Sequence, residues 1–251
     1  MDTLDKVSVG ADLHAMLEDL AKCCRILEIF GHGDRIYGHV AMRDPEGRGM
    51  WVKRHRISLG EVTNAVDFLL VDFNGKVLAG EGARCLEWPI HAEVMKARPD
   101  ILFTGHTHPF HCVVYSSVDT PYKPVKGRNF GVPRRYEGSS DLVTTPARGQ
   151  EIAETLDDGF VLLMRNHGLV FTGRNLVEFL NCAIGIEEAC KEMLLAASLN
   201  VESRPPEKAE QTEKVGKASH FGNAVWDYYC RVLARAEAAG DMRLAPLPRS
   251  L

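Results

Sequence analysis

Features of secreted and membrane proteins are missing from this sequence of 251 residues. No apolar run reaches the length of a transmembrane helix, and residues 1–6 do not form the basic segment that opens a signal peptide. The seven cysteines are odd in number and include no C-x-x-C pair, so reduced core thiols are expected instead of disulfides or metal ligands. We therefore expect a cytoplasmic protein with no membrane partner.

An excess of charge of one sign is also missing. The chain has 30 Lys and Arg against 34 Asp and Glu, a formal net charge of -4, without the basic surplus typical of nucleic-acid-binding surfaces. Nucleic acid is therefore not expected as a partner. The chain has no internal repeat or low-complexity tract, and a content of 45% hydrophobic residues is ordinary for one large globular domain.

Hydrophobic periodicity predicts an alternation of helices and strands. A helix should begin at Asp12 and end near Phe30, where Gly31-His-Gly33 stops it. Strands are expected near 37–42, 50–53, 68–72, 76–78, 101–106 and 160–164, and further helices over 89–97, 148–157, 176–199 and 215–239. The Pro-, Gly- and Arg-rich segment 117–140 is interpreted as a long loop and a candidate lid. This mixture favours an α/β layered domain.

A polar stretch after residue 200 divides the chain. Residues 1–200 are expected to form one catalytic domain, whereas 201–251 should be an exposed connector followed by a helical tail. The tail carries Trp226 and Tyr229 among apolar residues at helical spacing, so it should pack on the domain or on a neighbouring subunit.

Three histidines are candidates for a metal site. His106 and His108 follow an apolar segment that is expected to be a strand. Residues i and i+2 of an extended chain project to the same side, so both imidazoles can face one ion. His167 follows the predicted strand 160–164 and could add a third ligand. Three histidines leave coordination positions open for water or substrate, which a catalytic metal site requires.

Glu87 is the candidate for proton transfer. It lies four residues before His91 where a helix is expected to begin, so the two side chains can share one face and His91 could orient the carboxylate. A carboxylate that lies beside a divalent cation without ligating it is a suitable proton shuttle. Basic residues that could bind a substrate carboxylate precede it in the chain: Lys53, Arg54, His55, Arg56 and Arg84.

Three motifs resemble those of the class II aldolase/adducin family and occur in the family's order. They are Glu87-Trp-Pro-Ile-His-Ala-Glu-Val-Met-Lys-Ala-Arg-Pro-Asp100, Thr104-Gly-His106-Thr-His108-Pro and Asn166-His167-Gly168, within a match over about residues 13–195. The resemblance implies that His106, His108 and His167 hold one divalent metal ion per subunit (Zn, Mn, Fe or Co) and that Glu87 is the acid/base. It also implies a three-layer α/β/α class II aldolase-like fold with a central mixed, mainly antiparallel sheet, and a fourfold-symmetric homotetramer.

The sequence departs from the sugar-phosphate aldolases of that family at three places. Those aldolases carry a Gly-Asn-x-Ser phosphate motif, a Thr-Gly turn and a Ser-Ser pair directly before the catalytic Glu. The matching places here read Gly38-His39-Val40-Ala41, Ile57-Ser58-Leu59-Gly60 and Cys85-Leu86. Because small hydroxyl and amide donors are missing, phosphate recognition is not expected, and we assign His39 to the substrate pocket instead.

These departures make the chain more similar to the family's decarboxylases of hydroxylated aromatic or pyridine dicarboxylates. The leading hypothesis is a metal-dependent carbon–carbon lyase that decarboxylates such a small-molecule carboxylate. The candidate substrate-binding residues are His39, Arg54, Arg56, Arg84 and His91.

Three other hypotheses stay open. One is an aldolase for a non-phosphorylated hydroxy-acid or sugar-like substrate, and another is a non-haem iron oxygenase on the same fold. The third is an adducin-like, non-enzymatic binding module. The retained histidines and Glu87 argue against that last hypothesis.

Overall fold

An eight-stranded sheet forms the central layer of the computed structural model, which describes residues 11–128, 130–200, 204–207, 210 and 222–240. The strands are β1 (His39–Arg43), β2 (Met50–Lys53), β3 (Phe68–Val71), β4 (Val77–Ala79), β5 (Phe103–Thr107), β6 (Arg134–Tyr136), β7 (Val161–Met164) and β8 (Gly168–Gly173). Their order is β4-β3-β2-β1-β5-β8-β7-β6, and every neighbouring pair is antiparallel except β6 and β7. The predicted mixed, mainly antiparallel sheet is therefore confirmed.

Six α-helices accompany the sheet in the described part of the chain. They are α1 (Ala11–Leu27), α2 (Trp88–Ala97), α3 (Phe110–Ser116), α4 (Pro146–Leu156), α5 (Leu176–Ser198) and α6 (Gly222–Ala238). A π-helical turn, Glu28–His32, follows α1, and Gly31 within it has a φ of 86°, so the helix ends where the sequence predicts. None of the described helices is long and apolar enough to cross a membrane.

Different cores on the two faces of the sheet produce the three predicted layers. Helices α1 and α5 cover one face, where Phe171 and Phe179 are buried in the largest core. Helices α2 and α4 cover the other face, where Ile90 packs with strand residues such as Val170. Gly105 lies under the ring of Phe171, and a Cβ at this position would overlap that ring. The strands β5 and β8 can therefore pack closely only with glycine here.

The described part of the predicted tail, α6, packs on α1 and α5 of the same chain. Tyr229 lies edge-on to Phe30 with 5.5 Å between ring centroids, and its hydroxyl donates to Oδ1 of Asn181 at 3.2 Å. Arg25 of α1 forms an ion pair with Glu237 at 3.1 Å. Residues 215–221 of the predicted tail helix lie outside the described residues, and the domain boundary at residue 200 stays a prediction.

Three elements, α3, β6 and β8, are absent from the sequence-based predictions. Strand β6 falls within segment 117–140, so the interpretation of that whole segment as a loop is wrong at 134–136, where the backbone pairs with β7 in parallel. The other predicted elements are present with bounds shifted by a few residues. All seven cysteines are unbridged and six of them are buried, as predicted.

Candidate metal centre

The three predicted metal ligands meet at one end of β5. His106 belongs to β5 and His108 follows directly after the strand, so the i and i+2 spacing directs both side chains to one side. His167 lies in the tight turn between β7 and β8, and β8 is hydrogen-bonded to β5. Antiparallel pairing therefore brings this turn to the same end of the sheet as His108.

The ligand atoms of the three histidines lie close enough to share an ion. Nε2 of His106 and Nε2 of His108 are 3.1 Å apart, and the ligand atoms of His106, His108 and His167 all lie within 4.8 Å of one another. Two imidazoles on a tetrahedral zinc ion, with Zn–N distances of about 2.0–2.1 Å, have nitrogens about 3.4 Å apart. The spacing of His106 and His108 is close to that value.

Hydrogen bonds behind two of the rings determine which nitrogen faces the site. Nδ1 of His106 donates to the carbonyl oxygen of Leu169 at 3.1 Å, and Nδ1 of His108 donates to the carboxylate of Asp34 at 3.1 Å. Because a neutral imidazole carries one N–H, each Nε2 is left with a lone pair directed at the other. Two lone pairs at this distance repel each other unless a cation lies beside both. The residues therefore fit a metal ion.

Burial keeps the three imidazoles in the form that ligates metals. It is the main cause that lowers the pKa of His106 well below its ordinary value, and it also lowers the pKa of His108 and of His167. Neutral imidazole is the form that binds a metal ion. An all-imidazole donor set suits zinc, iron, cobalt and other transition metals better than magnesium or calcium.

Gly168 and Asn166 shape the turn that carries His167. Asn166 has a φ of 56°, a left-handed conformation that asparagine tolerates better than most residues. A Cβ at Gly168 would lie 2.6 Å from Cδ2 of His108 and 3.2 Å from Cε1 of His106. A side chain at this position would displace both rings, which explains why glycine follows His167. Nδ1 of His167 is a buried atom without a hydrogen-bond partner among the described residues.

Glu87 reaches the histidines from the start of α2. Its side chain is buried, Oε2 is 3.6 Å from Nε2 of His106, and Oε1 is 3.6 Å from Nε2 of His167. Oε1 accepts a hydrogen bond from the backbone N–H of Val143 at 2.9 Å. The carboxylate therefore lies beside the ligand atoms without a direct hydrogen bond to them, because 3.6 Å exceeds the range of such a bond.

Glu87 and His39 form a buried pair of opposite charge, with 3.7 Å between Nε2 of His39 and Oε2 of Glu87. Burial alone would raise the pKa of Glu87, but His106, His39 and the N–H of Val143 outweigh it and hold that pKa well below its usual range. Burial also opposes the charged form of His39, yet Cys85 and Glu87 raise its pKa to about 9. Glu87 is therefore a carboxylate at neutral pH.

His39 also belongs to a hydrogen-bonded chain that leads away from Glu87. Nδ1 of His39 is 2.7 Å from Nε2 of His91, and Nδ1 of His91 is 2.7 Å from Oγ1 of Thr104. His91 and Thr104 have no exposed surface. The structure thus brings His39 and His91 to the site, but His91 lies behind His39 and has a partner at each ring nitrogen. Its predicted contact with substrate stays a prediction.

Two of the three predicted arginines have other described contacts, and the third is exposed. Arg54 pairs with Asp67 at 2.8 Å. Arg84 donates to a backbone carbonyl, and its guanidinium lies over the ring of Trp88 at 5.0 Å from the centroid. Arg56 is exposed. Among the described residues these contacts do not link the arginines to the three histidines or to Glu87, so their part in substrate binding stays a prediction.

Two residues of the site have no counterpart in the sequence-based predictions. Asp34 lies in the loop before β1 and orients His108, and Val143 holds Glu87 through its backbone N–H. A backbone donor has no sequence signature. Asp34 is one of 34 acidic residues, and only its place close after Gly31-His-Gly33 and before His39 distinguishes it.

The chain is similar in sequence to proteins of one known family. A family model described as Class II Aldolase and Adducin N-terminal domain matches residues 18–194. The meiotically up-regulated gene 14 protein of Schizosaccharomyces pombe is 24% identical over 200 residues, which cover 74% of this chain and 76% of that protein. A 3,4-dihydroxyphthalate decarboxylase of Arthrobacter keyseri is 28% identical over 184 residues, which cover 68% of this chain and 74% of that protein.

A solved structure shares the fold over most of the chain. An L-fuculose 1-phosphate aldolase from Glaciozyma antarctica superposes with a TM-score of 0.77 at 22% sequence identity, covering 93% of this chain and 94% of that chain. At this identity the likeness establishes the fold alone.

Proposed function

The chain belongs to the class II aldolase and adducin family and has the class II aldolase fold, and on that premise we propose that it is a metal-dependent carbon–carbon lyase. The family and the decarboxylases among the relatives support a lyase. The finer proposal is a decarboxylase of a hydroxylated aromatic or heteroaromatic mono- or dicarboxylate. Its substrate would carry a hydroxyl group next to the carboxylate that is lost.

One observation carries this proposal. The three histidines direct neutral ligand atoms to one place, and a buried carboxylate that is not hydrogen-bonded to them lies 3.6 Å away. A purely structural metal site has no need of that carboxylate, whereas cleavage of a carbon–carbon bond needs a group that moves a proton. We therefore assign His106, His108 and His167 as the ligands and Glu87 as the acid/base.

The ion and the side chains would have separate tasks. When bound, a divalent ion would polarise the substrate oxygens and stabilise the negative charge that develops as the carbon–carbon bond breaks. Glu87 would accept the proton of the substrate hydroxyl at Oε2, since its Oε1 is held by Val143. After carbon dioxide leaves, Glu87 would return this proton to the carbon that lost the carboxylate. The product hydroxyl would regain a proton from water on release.

Substrate recognition is proposed to rely on charge and shape. His39 lies beside Glu87, and Cys85 and Glu87 raise its pKa against the opposing effect of burial. It is therefore suited to a carboxylate or phenolate oxygen of the substrate. Arg54, Arg56 and Arg84 remain candidates for a second carboxylate. The cytoplasmic location and the homotetramer also stay predictions, and sedimentation velocity would test the tetramer.

The proposal is tested by supplying metal and substrate together. Protein loaded in turn with zinc, manganese, iron or cobalt is mixed with hydroxylated benzoates, phthalates and pyridine dicarboxylates, and carbon dioxide and product are measured. We expect carbon dioxide and product to form at the same rate, and we expect His106→Ala to form neither. His14→Ala is the matched control, because this histidine of α1 is about half exposed and forms its ion pair with Glu18 of the same helix.

Other outcomes would replace the proposal by a named alternative. Release of an aldehyde without carbon dioxide indicates an aldolase. Consumption of dioxygen by the iron-loaded protein indicates an oxygenase. Protein that binds no stoichiometric metal, with His106→Ala equal to the wild type in every assay, indicates a binding module.

A further inference from the structure

The polar side chains beside Glu87 include two histidines, His39 and His91, in addition to the three candidate metal ligands. These two histidines extend toward the interior, where Thr104 ends a chain of hydrogen bonds. With Cys85 they form a second group of three buried side chains whose ligand atoms lie within 4.8 Å of one another. This group is either a second ion site or a hydrogen-bonded support for the first.

The distance between the two imidazoles decides between these alternatives. Nδ1 of His39 and Nε2 of His91 are 2.7 Å apart. Nitrogens of two imidazoles on one tetrahedral zinc ion are about 3.4 Å apart, whereas hydrogen-bonded heavy atoms are about 2.7–3.2 Å apart. The pair of His39 and His91 is therefore a hydrogen bond. The pair of His106 and His108, at 3.1 Å, is closer to the zinc value, and both Nδ1 atoms donate elsewhere, so no N–H lies between the two Nε2 atoms and this pair suits an ion.

The positions of these residues in the helix and the strands explain why the hydrogen-bonded series that begins at Thr104 reaches Glu87. His91 follows Glu87 by one turn of α2, so it faces the same part of the sheet. Thr104 and His106 are separated by one residue of β5 and project to the same face, and His39 of β1 is the register partner of His106. His91 thus lies between the helix that carries the acid/base and the strand that carries a metal ligand.

We propose that His91 is a positioning residue, which Thr104 holds in place and which fixes the ring of His39 so that Nε2 of His39 faces Oε2 of Glu87. The inference rests on the proposed function of Glu87. An imidazole ring can turn by half a rotation about its bond to Cβ, which exchanges its nitrogens with ring carbons. Only one of the two orientations places Nδ1 at His91 and Nε2 at Glu87.

His91 can select this orientation because its own hydrogen bonds depend on each other. A neutral imidazole has one N–H and one lone pair, so His91 accepts at Nε2 if it donates to Thr104 at Nδ1. Loss of Thr104 as partner therefore also weakens the hold on His39. The other groups around His39 are Cys85, which contacts it, and His106, whose ring centroid is 5.2 Å from that of His39.

Two substitutions test the chain in the metal-loaded protein. His91→Phe keeps a ring and removes both hydrogen bonds, and Thr104→Val removes only the hydroxyl. We expect His91→Phe to lower kcat about 10- to 100-fold, the range for residues behind a catalytic group, with KM and bound metal unchanged. Thr104→Val should lower kcat less. The double variant should be no slower than His91→Phe alone, because both substitutions act through one chain.

Two further variants separate positioning from stability. His91→Gln keeps a polar atom near the position of Nε2 and should recover part of kcat. Thr172→Val is the matched control, since Thr172 is the register partner of Thr104 on β8, is equally buried and donates its hydroxyl to the carbonyl of Phe160 instead. This control should keep the wild-type kcat.

A second measurement does not depend on activity. In metal-free protein with 15N-labelled histidine, the short bond between His39 and His91 should give a ring N–H proton resonance far downfield. His91→Phe should remove this resonance and Thr172→Val should keep it. Absence of the resonance from the wild type would overturn the inference.

Activity provides the other decisive outcomes. If the wild type is active and His91→Phe has the same kcat, the inference is overturned and the proposed function stands. If His91→Phe does not fold, Thr104→Val decides in the same way. A wild type that releases no carbon dioxide from any substrate would overturn the proposed function, and the inference with it.

Discussion

Replacing Asp34 with Asn tests whether the hydrogen bond behind His108 contributes to metal affinity. Asp34 accepts the Nδ1–H of His108 at 3.1 Å. Asn keeps an acceptor oxygen but loses the charge, and charge-assisted hydrogen bonds are roughly twice as strong as neutral ones. Removal of such a partner costs about 10- to 100-fold in metal affinity, or about 1.4 to 2.7 kcal/mol. We expect the loss of metal affinity in Asp34→Asn to be at the lower limit of this range, because Asn keeps a hydrogen-bond acceptor.

Competition with a chelator measures this affinity directly. Unfolding in urea measures it indirectly, through the free energy of unfolding that a bound ion adds. With free ion at about 100 times the wild-type Kd, the ion should add about 2.7 kcal/mol to the free energy of unfolding of the wild type. A tenfold weaker variant should gain about 1.4 kcal/mol under the same conditions. Without the ion, Asp34→Asn and the wild type should differ by less than about 1 kcal/mol, because the pair with His108 is partly exposed.

Asp227→Asn is the matched control, since it makes the same chemical change on the exposed surface of α6. It should leave the affinity for the ion unchanged. Equal affinities of Asp34→Asn and the wild type would refute the reasoning. A loss of stability of the same size with and without the ion would also refute it, because the effect would then belong to the fold and not to the metal centre.

Three further predictions address catalysis, packing and pH. Glu87→Gln should retain stoichiometric metal, because Glu87 is not assigned as a ligand, and should lose about 10²- to 10⁴-fold in kcat; a variant with normal turnover removes Glu87 from the mechanism. Gly105→Ala should lower the free energy of unfolding by about 1–3 kcal/mol, since the added Cβ overlaps the ring of Phe171. The control Gly222→Ala meets no atom within 4 Å and should change it by less than about 1 kcal/mol. Burial lowers the pKa of His32 to about 4, whereas in the unfolded chain this pKa is about 6.5. The contribution of neutral His32 to the free energy of unfolding is therefore fully present above about pH 6.5. It falls by about 3 kcal/mol as the pH drops to 4, because the unfolded chain then binds a proton that the folded chain does not. Urea unfolding at pH 7 and pH 4.5 should show a smaller pH effect in His32→Gln than in the wild type, and equal effects would contradict this assignment.

Local periodicity predicts those parts of the site that depend on one element at a time. The spacing of His106 and His108 requires only that the segment be extended, and β5 is extended there. Pro89 suits the first turn of a helix, so the start of α2 and the place of Glu87 follow from the sequence. The position of His167 after an apolar strand is visible in the same way.

Parts that depend on distant contacts are not visible in local sequence. The segment of α3 is rich in β-branched and aromatic residues, yet it is helical, because Glu187 of α5 accepts hydrogen bonds from the N–H groups of His111 and Cys112 at its start. Strand β6 has only three residues and exists through its pairing with β7. His91 is a candidate for substrate binding or for orienting Glu87 from the sequence, and only the packing of α2 on the sheet shows that it has no exposed surface.

The register of β5 has a consequence for the proposed metal centre. This strand is paired on both sides, with His39 opposite His106 on one side and Leu169 opposite Thr107 on the other. A slip by one residue would turn Thr107 toward α2 in place of His106 and leave the ion with too few nitrogen donors. A bound ion therefore favours correctly aligned chains over misaligned ones during refolding.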